Sequence, residues 1–268
     1  MKKTVLISFL ILGFVFLSGC GKKKIETPPS QIIPTAVPTR PVEETIGERP
    51  YVSLLPSFDG HWLTLEIKNI IKGTTGLDYE LTYFADVEGS KIERGVTTGG
   101  IPVELNGQSD FSKKLLLGSA SCTTGTCKYK YDENVTEGML TIKLIGSGAE
   151  KYESAFKIQK GKEAATGFSA GDGVFLLKSS GLSANSSYLI ISSVGIPIQL
   201  SQGIIAKSVP YGFYPNTNTK GTVSFKTELT GINIYGLVGK TWQKLETTIE
   251  FGMATADFSN ASLFILGQ

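Results

Sequence analysis

Histidine is nearly absent from this chain of 268 residues, which contains only His61. A zinc site draws three or four ligands from histidine, cysteine and acidic residues, and one histidine does not supply the usual set. A Ser-His-Asp triad needs a histidine as its base, but the sequence has no Gly-x-Ser-x-Gly turn to accompany it. We therefore interpret His61, in the segment Asp59-Gly60-His61-Trp62, as a turn or surface residue. We predict no catalytic residue, metal or cofactor.

An excess of charge of either sign is also lacking, with 26 basic and 24 acidic residues. Two of the basic residues, Lys2 and Lys3, lie in the first 19 residues, which contain no acid, so the remaining chain has 24 of each sign. A general nucleic-acid-binding protein would show a basic excess on one face. We predict no nucleic-acid partner.

The apolar run near the N-terminus, Val5 to Phe16, is too short to be a transmembrane helix, which needs about 20 residues. It follows the positive charges of Lys2 and Lys3 and ends at the small residues Ser18 and Gly19. A positive head, an apolar centre and a small-residue ending are the layout of a secretory signal. We expect residues 1–19 to be a signal peptide.

The four residues that close this segment, Leu17-Ser18-Gly19-Cys20, resemble the lipobox of bacterial lipoproteins. The resemblance implies that the Cys20 thiol carries a diacylglycerol and that the new amino terminus is acylated, for example with palmitate. Two buried acyl chains anchor a protein stably. We expect membrane lipid to be a partner through Cys20, on the extracytoplasmic side of a bacterial cell membrane. The lysines at 22–24 either lie against anionic headgroups or form a hydrophilic spacer.

Proline is concentrated in the segment after the lipobox, because six of the eleven prolines lie between residues 21 and 50. No apolar residues recur periodically there. Proline-rich chain is extended and semi-rigid, at about 3.1 Å per residue, so thirty residues span roughly 90 Å. We predict that residues 20–50 are a tether that holds the folded part away from the membrane.

Only three cysteines are present, and with Cys20 assigned to lipid, Cys122 and Cys127 remain as a pair. Disulfides persist outside the cytoplasm, and the intervening Thr-Thr-Gly-Thr suits a hairpin turn. Facing residues on antiparallel strands lie within disulfide reach. We predict a structural disulfide rather than a redox or metal pair, because the spacing is not Cys-x-x-Cys and no histidine cluster is nearby.

Helical periodicity of useful length is missing from Tyr51 onwards, where apolar and polar residues alternate instead, as around Leu63, Leu65 and Ile67. Short alternating runs with glycine or asparagine breaks about every 8–12 residues are typical of a β-sandwich. A glycine- and alanine-containing joint at 162–173 divides the pattern. We predict an all-β protein with two consecutive antiparallel β-sandwich domains of immunoglobulin-like or similar type, residues 51–161 and 162–268.

The second predicted domain carries several marks in a fixed order. They are Tyr211-Gly212-Phe213-Tyr214-Pro215, Ile234-Tyr235-Gly236-Leu237, Lys240 to Leu245, and Phe258-Ser259. This order resembles the ZU5-like β-sandwich over about residues 168–268, which implies a scaffold or interaction module. Some members of that family cut themselves at His-Phe-Ser. The matching triplet here is Asp257-Phe258-Ser259, and aspartate is a poor substitute for an imidazole base near neutral pH, so we predict no self-cleavage.

Two groups of residues are candidates for binding. Asp132, Glu133 and Glu137 offer oxygen ligands for Ca²⁺ but lack the usual spacing of a calcium loop, so a solvated turn is favoured. Tyr211, Phe213 and Tyr214 form either a stacking platform for a sugar or, as is commoner in a β-sandwich, core and strand-edge packing. The aromatic group is retained as the candidate ligand-binding site.

The whole pattern favours a non-enzymatic, lipid-anchored envelope or surface protein that acts as a binding or structural module. Its partner would be an envelope protein or a glycan. The alternative is an anchored hydrolase that cleaves envelope polysaccharide with two carboxylates, although no pair stands out in the sequence. A solute-binding lipoprotein of a transporter is disfavoured, because such proteins usually alternate β and α units.

Overall fold

The structure is a computed structural model that describes residues 46–146, 150–215 and 218–268. The described residues all belong to one compact unit, residues 38–268. The predicted signal peptide, the lipidation site at Cys20 and the part of the tether up to residue 45 lie outside them. No helix in the described part of the chain is long and apolar enough to cross a membrane.

Twenty strands account for most of the described chain. The first ten are β1 (Tyr51–Pro56), β2 (Trp62–Lys68), β3 (Thr74–Val87), β4 (Ser90–Thr97), β5 (Val103–Glu104), β6 (Phe111–Leu116), β7 (Gly118–Thr123), β8 (Thr126–Tyr131), β9 (Glu137–Gly146) and β10 (Lys151–Lys160). After a 3-10 turn at Gly161–Glu163 come β11 (Phe168–Ser169), β12 (Phe175–Ser180), β13 (Ser187–Ser192), β14 (Tyr211–Tyr214), β15 (Lys220–Lys226), β16 (Asn233–Val238), β17 (Thr241–Lys244), β18 (Thr247–Glu250), β19 (Met253–Ser259) and β20 (Ala261–Gly267). The predicted all-β class is confirmed.

These strands form four antiparallel sheets. The largest, which we name the central sheet, has the order β17-β16-β20-β14-β13-β10-β9-β3-β4, with β5 also paired to β3. A three-stranded sheet has the order β1-β2-β6, and a five-stranded sheet the order β11-β12-β15-β19-β18. The strands β7 and β8 form a separate hairpin. Sheets packed face to face make this a β-sandwich architecture.

Alternation of side chains along the strands decides which face is buried. In β2, Leu63, Leu65 and Ile67 are buried, whereas the residues between them are only partly so. These side chains enter a first hydrophobic cluster that lies between the three-stranded sheet and one face of the central sheet. Because successive side chains point to opposite faces, the period of two in the sequence specifies this packing.

A second hydrophobic cluster lies on the opposite face of the central sheet, under the five-stranded sheet. In β13, Leu189 and Ile191 belong to the first cluster, whereas Tyr188 and Ile190 belong to the second. The strand is therefore buried on both faces, which explains why its residues form a continuous apolar run. The central sheet is a wall shared by two sandwiches that lie on opposite sides of it.

The two predicted domains meet within this wall. The central sheet takes β3, β4, β5, β9 and β10 from residues 51–161, and β13, β14, β16, β17 and β20 from residues 162–268. The strands on either side of the boundary are neighbours, with Phe156 opposite Ile191 and Lys160 opposite Ser187. Both halves thus contribute strands to one continuous sheet, and their independence as folding units stays a prediction.

Candidate binding site

The β7–β8 hairpin is a two-stranded sheet of its own with mostly exposed side chains. Within the described residues its strands pair only with each other, and an isolated two-stranded hairpin is at best marginally stable in water. Cys122 and Cys127 lie directly opposite each other, with their Cα atoms 4.0 Å apart, and form a disulfide next to the turn. The structure thus agrees with the predicted pairing, which closes a hairpin whose side chains are nearly all exposed.

Two tyrosines on this hairpin have very small neighbours. Tyr129 lies opposite Ala120, and Tyr131 lies opposite Gly118. Gly118 has φ +143°, and a Cβ there would lie 2.2 Å from the carbonyl oxygen of Lys130, so no larger residue fits without a backbone shift. With only a methyl group and a hydrogen opposite them, the two rings are not covered from the neighbouring strand.

The turn between β1 and β2 brings His61 to the base of the hairpin, where the Leu117 amide donates to the His61 carbonyl oxygen (2.9 Å). Asp59 organises the turn. One carboxylate oxygen accepts from the Ser57 hydroxyl (2.5 Å) and the His61 amide (3.1 Å), and the other lies 3.2 Å from His61 Nδ1. These hydrogen bonds, that of Ser57 first, lower the pKa of Asp59 below its usual value.

The same turn also packs closely against Ser187 on β13. Gly60 has φ +79°, and a Cβ at this position would lie 2.9 Å from Ser187 Oγ and 3.9 Å from Lys160 Nζ. Lys160 Nζ donates to that Ser187 hydroxyl at 2.9 Å. Glycine is therefore required here both for its left-handed backbone and for the close approach to β13.

Four aromatic side chains meet where the turn and the hairpin touch, and we name His61, Trp62, Tyr129 and Tyr131 the aromatic cluster. The His61 and Tyr131 rings stack with centroids 3.9 Å apart and planes 3° from parallel. Tyr129 is nearly parallel to Tyr131 at 6.1 Å, and Trp62 meets Tyr129 edge-on at 5.5 Å. Lys114 Nζ lies 4.7 Å from the centroid of Trp62, within cation–π range.

His61 covers one face of Tyr131, and part of the remaining ring surface is open to solvent. Tyr129 is 46% exposed and Tyr131 37% exposed, and Phe58, on the adjoining turn, is 81% exposed. Aromatic rings contact ligands through flat apolar faces and, for tyrosine, through a polar hydroxyl at one end. Such a surface suits the apolar faces of sugar rings, whose edges carry hydroxyl groups.

Asp132 fastens the C-terminal end of the hairpin to the central sheet. Its side chain is 7% exposed, and one oxygen accepts hydrogen bonds from the Tyr83 hydroxyl (2.7 Å) and from Arg94 Nε (3.1 Å). Burial and the contact with this carboxylate raise the pKa of Tyr83. The Asp132 amide also donates to the Leu117 carbonyl oxygen (3.0 Å), so the hairpin is rigid at its base as well as at its tip.

No protein-family model, curated protein or solved structure matches this chain significantly. The resemblances of residues 17–20 to a lipobox and of residues 168–268 to a ZU5-like sandwich stay predictions.

The aromatic residues chosen from the sequence lie in the interior. Tyr211, Phe213 and Tyr214 are 3%, 1% and 7% exposed. The Tyr211 hydroxyl donates to Asp172 (2.6 Å), and the hydroxyls of Tyr214 and Tyr51 are hydrogen-bonded to each other. Burial above all raises the pKa of Tyr211 and of Tyr214. The three rings pack in the core and present no surface on which a sugar would stack.

Two of the three acidic residues in and after the end of the hairpin, Asp132 and Glu137, contact cationic side chains. The Asp132 carboxylate is bound as described above, and Glu137 lies 3.3 Å from Lys91 Nζ and 3.8 Å from Lys157 Nζ. Glu133 is exposed. Among the described residues, no three histidine, cysteine or acidic side chains are grouped so that they could hold a metal ion.

The triplet Asp257-Phe258-Ser259 lies in the regular strand β19, paired with β15. Phe258 is buried, and Asp257 accepts a hydrogen bond from Thr222 Oγ1 (3.1 Å). These residues belong to an ordinary antiparallel ladder. The other predicted site residue, Cys20, lies outside the described residues.

A shallow cleft on the uncovered face of the central sheet contains two carboxylates. Asp78 and Glu80 are two residues apart on β3 and line a cleft of about 200 Å³ together with Lys143. The Cα atoms of two residues at positions i and i+2 of a strand are about 7 Å apart. Asp78 accepts a hydrogen bond from the Thr98 hydroxyl, and Lys143 lies opposite it on β9.

Sequence reasoning missed Trp62, Tyr129 and Tyr131. The signal for the tyrosines was present in the segment Lys128-Tyr129-Lys130-Tyr131, directly after Cys127. Alternation of lysine with tyrosine next to a disulfide hairpin indicates rings that no larger sheet covers. The stacking of His61 on Tyr131 joins residues 70 positions apart and has no local signature.

Proposed function

We propose that this chain is a non-enzymatic protein of the bacterial cell envelope that binds a glycan through the aromatic cluster. It would be anchored through Cys20 on the extracytoplasmic side of the membrane, as the lipobox-like residues 17–20 imply. The observation that carries the binding role is the pair of exposed, nearly parallel rings of Tyr129 and Tyr131, on a hairpin held at both ends.

Rigidity is the first argument for binding. Disulfide Cys122–Cys127 closes the tip, and Asp132 fixes the base. A ligand that meets a pre-organised surface does not have to order it, so less of the contact free energy is lost on binding.

The expected strength per contact is modest. A pair of aromatic side chains contributes about 0.5–1.5 kcal/mol beyond burial. With a similar amount for a sugar ring on each tyrosine, two rings add about 1–3 kcal/mol, and a single sugar unit binds weakly. A polymer that is engaged by several anchored copies gains from effective concentration, by factors of about 10²–10⁴. The arrangement therefore suits retention of a long polysaccharide.

The test is affinity electrophoresis of the full chain in gels that contain purified soluble polysaccharides, both neutral and charged. The double variant Tyr129→Ser/Tyr131→Ser should weaken retardation about tenfold or more in at least one of these gels. Phe251→Ser is the matched control, because Phe251 is 102% exposed at the β18–β19 turn and lies outside the aromatic cluster.

Unchanged retardation in the tyrosine double variant, or an equal loss in Phe251→Ser, would contradict this function. So would the absence of retardation of the unaltered chain in every gel. Both variants change exposed side chains, so their circular dichroism spectra should match that of the unaltered chain.

An anchored hydrolase is the second candidate, favoured by the placement of Asp78 and Glu80 in one cleft. Inverting glycosidases also use two acidic side chains, one as general acid and one as general base. Release of reducing ends from a polysaccharide by the unaltered chain, abolished in Glu80→Gln and retained in the control Glu93→Gln, would establish it over the binding role.

A further inference from the structure

The strands that form the aromatic cluster carry a local excess of positive charge. Residues 111–131, which include β6, β7 and β8, contain the lysines at positions 113, 114, 128 and 130 and no aspartate or glutamate. The whole chain has 26 basic and 24 acidic residues, so this segment departs clearly from the average. All four lysines are exposed.

Three of these lysines lie next to residues of the aromatic cluster, in space or along β8. Lys114 Nζ lies over Trp62 at 4.7 Å. Lys128 and Lys130 alternate with the tyrosines of β8 and so start from the other face of the hairpin. The axes of the two strands are only about 5 Å apart. A lysine side chain is therefore long enough to reach the edge of the hairpin from either face. Lys160 adds a fifth cation beside Gly60.

Of the three carboxylates closest in sequence to the ring residues, two are already engaged and the third, Glu133, is exposed. Asp59 is bound by Ser57 and His61, and Asp132 is nearly buried against Tyr83 and Arg94. On the outer face of β2, Glu66 lies 3.3 Å from Lys68.

Among the described residues, the lysines of the 111–131 segment form no ion pair. Four ammonium groups without a protein counter-charge create a positive potential over a surface that also presents open rings. Such a potential raises the local concentration of anionic ligands.

We propose that the ligand of the aromatic cluster is an anionic polysaccharide, whose sugar rings stack on Tyr129 and Tyr131 while its acidic groups pair with the neighbouring lysines. This inference rests on the proposed glycan-binding function and names the class of glycan. The acidic group is a carboxylate or a phosphate, since both pair with lysine. Salt dependence follows, because exposed ion pairs are screened by salt.

The experiment measures the affinity of the full chain for four soluble probes by isothermal titration. Polygalacturonate and phosphorylated dextran carry the two anions on sugar rings, fully methyl-esterified polygalacturonate has the same backbone without charge, and polyphosphate has charge without rings. We expect at least one of the two ring-bearing anions to bind at least tenfold more tightly than the ester. Its affinity should be about tenfold lower in 500 mM than in 50 mM sodium chloride.

The double variant Lys128→Gln/Lys130→Gln should reduce the ratio of anionic to ester affinity at least threefold. Lys178→Gln/Lys226→Gln is the matched control, because these lysines are exposed on the five-stranded sheet and the net charge changes equally. An equal reduction by the control pair would overturn the assignment to this site.

The remaining outcomes separate the two proposals. Equal affinity for both ring-bearing anions and the ester would overturn the anionic class and leave glycan binding intact. Polyphosphate binding as tightly as the ring-bearing anions, together with no effect of Tyr129→Ser/Tyr131→Ser, would overturn both. Failure of all four probes to bind would also overturn both. A preference between polygalacturonate and phosphorylated dextran identifies the anion.

Discussion

Two groups of tyrosine-bearing strand residues in this molecule have opposite surroundings. In β14, Tyr211, Phe213 and Tyr214 are all less than 10% exposed, whereas in β8, Tyr129 and Tyr131 are 46% and 37% exposed. Both strands are short and antiparallel, and neither length nor pairing type separates them. The difference in exposure comes from the strands that lie beside them.

The β14 strand lies between β13 and β20 in the central sheet, and these strands contribute apolar residues to both faces. The β8 strand pairs only with β7 in the described structure, and β7 supplies serine, alanine and glycine. A ring is buried when apolar strands flank and cover it, and it stays available to a ligand when its strand has one small-residue neighbour. Residue type alone does not distinguish core from site.

The largest expected difference between the two groups is in their contribution to the free energy of unfolding. Phe213 is 1% exposed and packs 5.5 Å from Phe168 and 5.6 Å from Tyr188, centroid to centroid. Phe213→Ala should lower the free energy of unfolding by about 3–5 kcal/mol, measured by urea denaturation. Tyr129→Ala should lower it by less than about 1 kcal/mol. Similar losses in the two variants would show that burial does not separate the groups.

Alkaline pH should sharpen the contrast next. Burial raises the pKa of Tyr211 and Tyr214 above the ordinary 10.0. Above about pH 10 the unfolded chain loses these protons and the folded chain keeps them. The free energy of unfolding is therefore undiminished below pH 10 and falls above it, by about 1.4 kcal/mol per pH unit for each tyrosine.

Urea denaturation between about pH 10.5 and 11.5, where the unfolded tyrosines are mostly deprotonated, measures this slope. Tyr211→Phe should make it shallower by about 1.4 kcal/mol per pH unit. A slope that stays the same in both Tyr211→Phe and Tyr214→Phe would contradict the role of buried tyrosines.

A smaller effect is expected at the base of the hairpin. Asp132→Ala leaves the Tyr83 hydroxyl and the Arg94 guanidinium without their acceptor, and should lower the free energy of unfolding by about 2 kcal/mol. Urea denaturation tests this, with the exposed Glu93→Ala on β4 as the control, for which a change below about 0.5 kcal/mol is expected. Equal effects would mean that Asp132 does not fasten the hairpin.

The smallest global effect is expected at the hairpin tip. Replacing both Cys122 and Cys127 with serine removes a loop closure that contributes about 2 kcal/mol. Because β7 and β8 pair only with each other in the described chain, the loss should appear as local opening. Hydrogen exchange should accelerate about thirtyfold at the β7–β8 amides and remain unchanged in β3 and β9. Equal acceleration in β3 would contradict local opening.

The sequence predicted strands correctly where one face of a sheet meets the core. Leu63, Leu65 and Ile67 alternate in the sequence and are buried together in the first cluster. It did not predict that the runs at 188–191 and 263–266 are buried on both faces, because a continuous apolar run says nothing of what covers each face. Pairings such as Gly212 with Leu263 join residues too far apart for a local pattern to indicate.

The candidate site was predictable in part. The spacing of Cys122 and Cys127 was enough to predict a closed hairpin, which is what the structure contains. Aromatic residues are densest at Tyr211, Phe213 and Tyr214, and local density does not reveal that these rings are buried. Proximity of His61 and Trp62 to the hairpin depends on the fold of the β1–β2 turn, and no spacing rule relates residues so far apart in the chain.

The shared central sheet also determines what would happen if the chain were divided. A cut at residues 161–162 would part β10 from β13 and leave each fragment with a row of unpaired backbone amide and carbonyl groups along its broken edge. Such edges seek new strands, so each fragment alone would self-associate. Mixed together, the two fragments offer each other the unpaired edges of β10 and β13 and would reassemble into the same fold with one break in the chain.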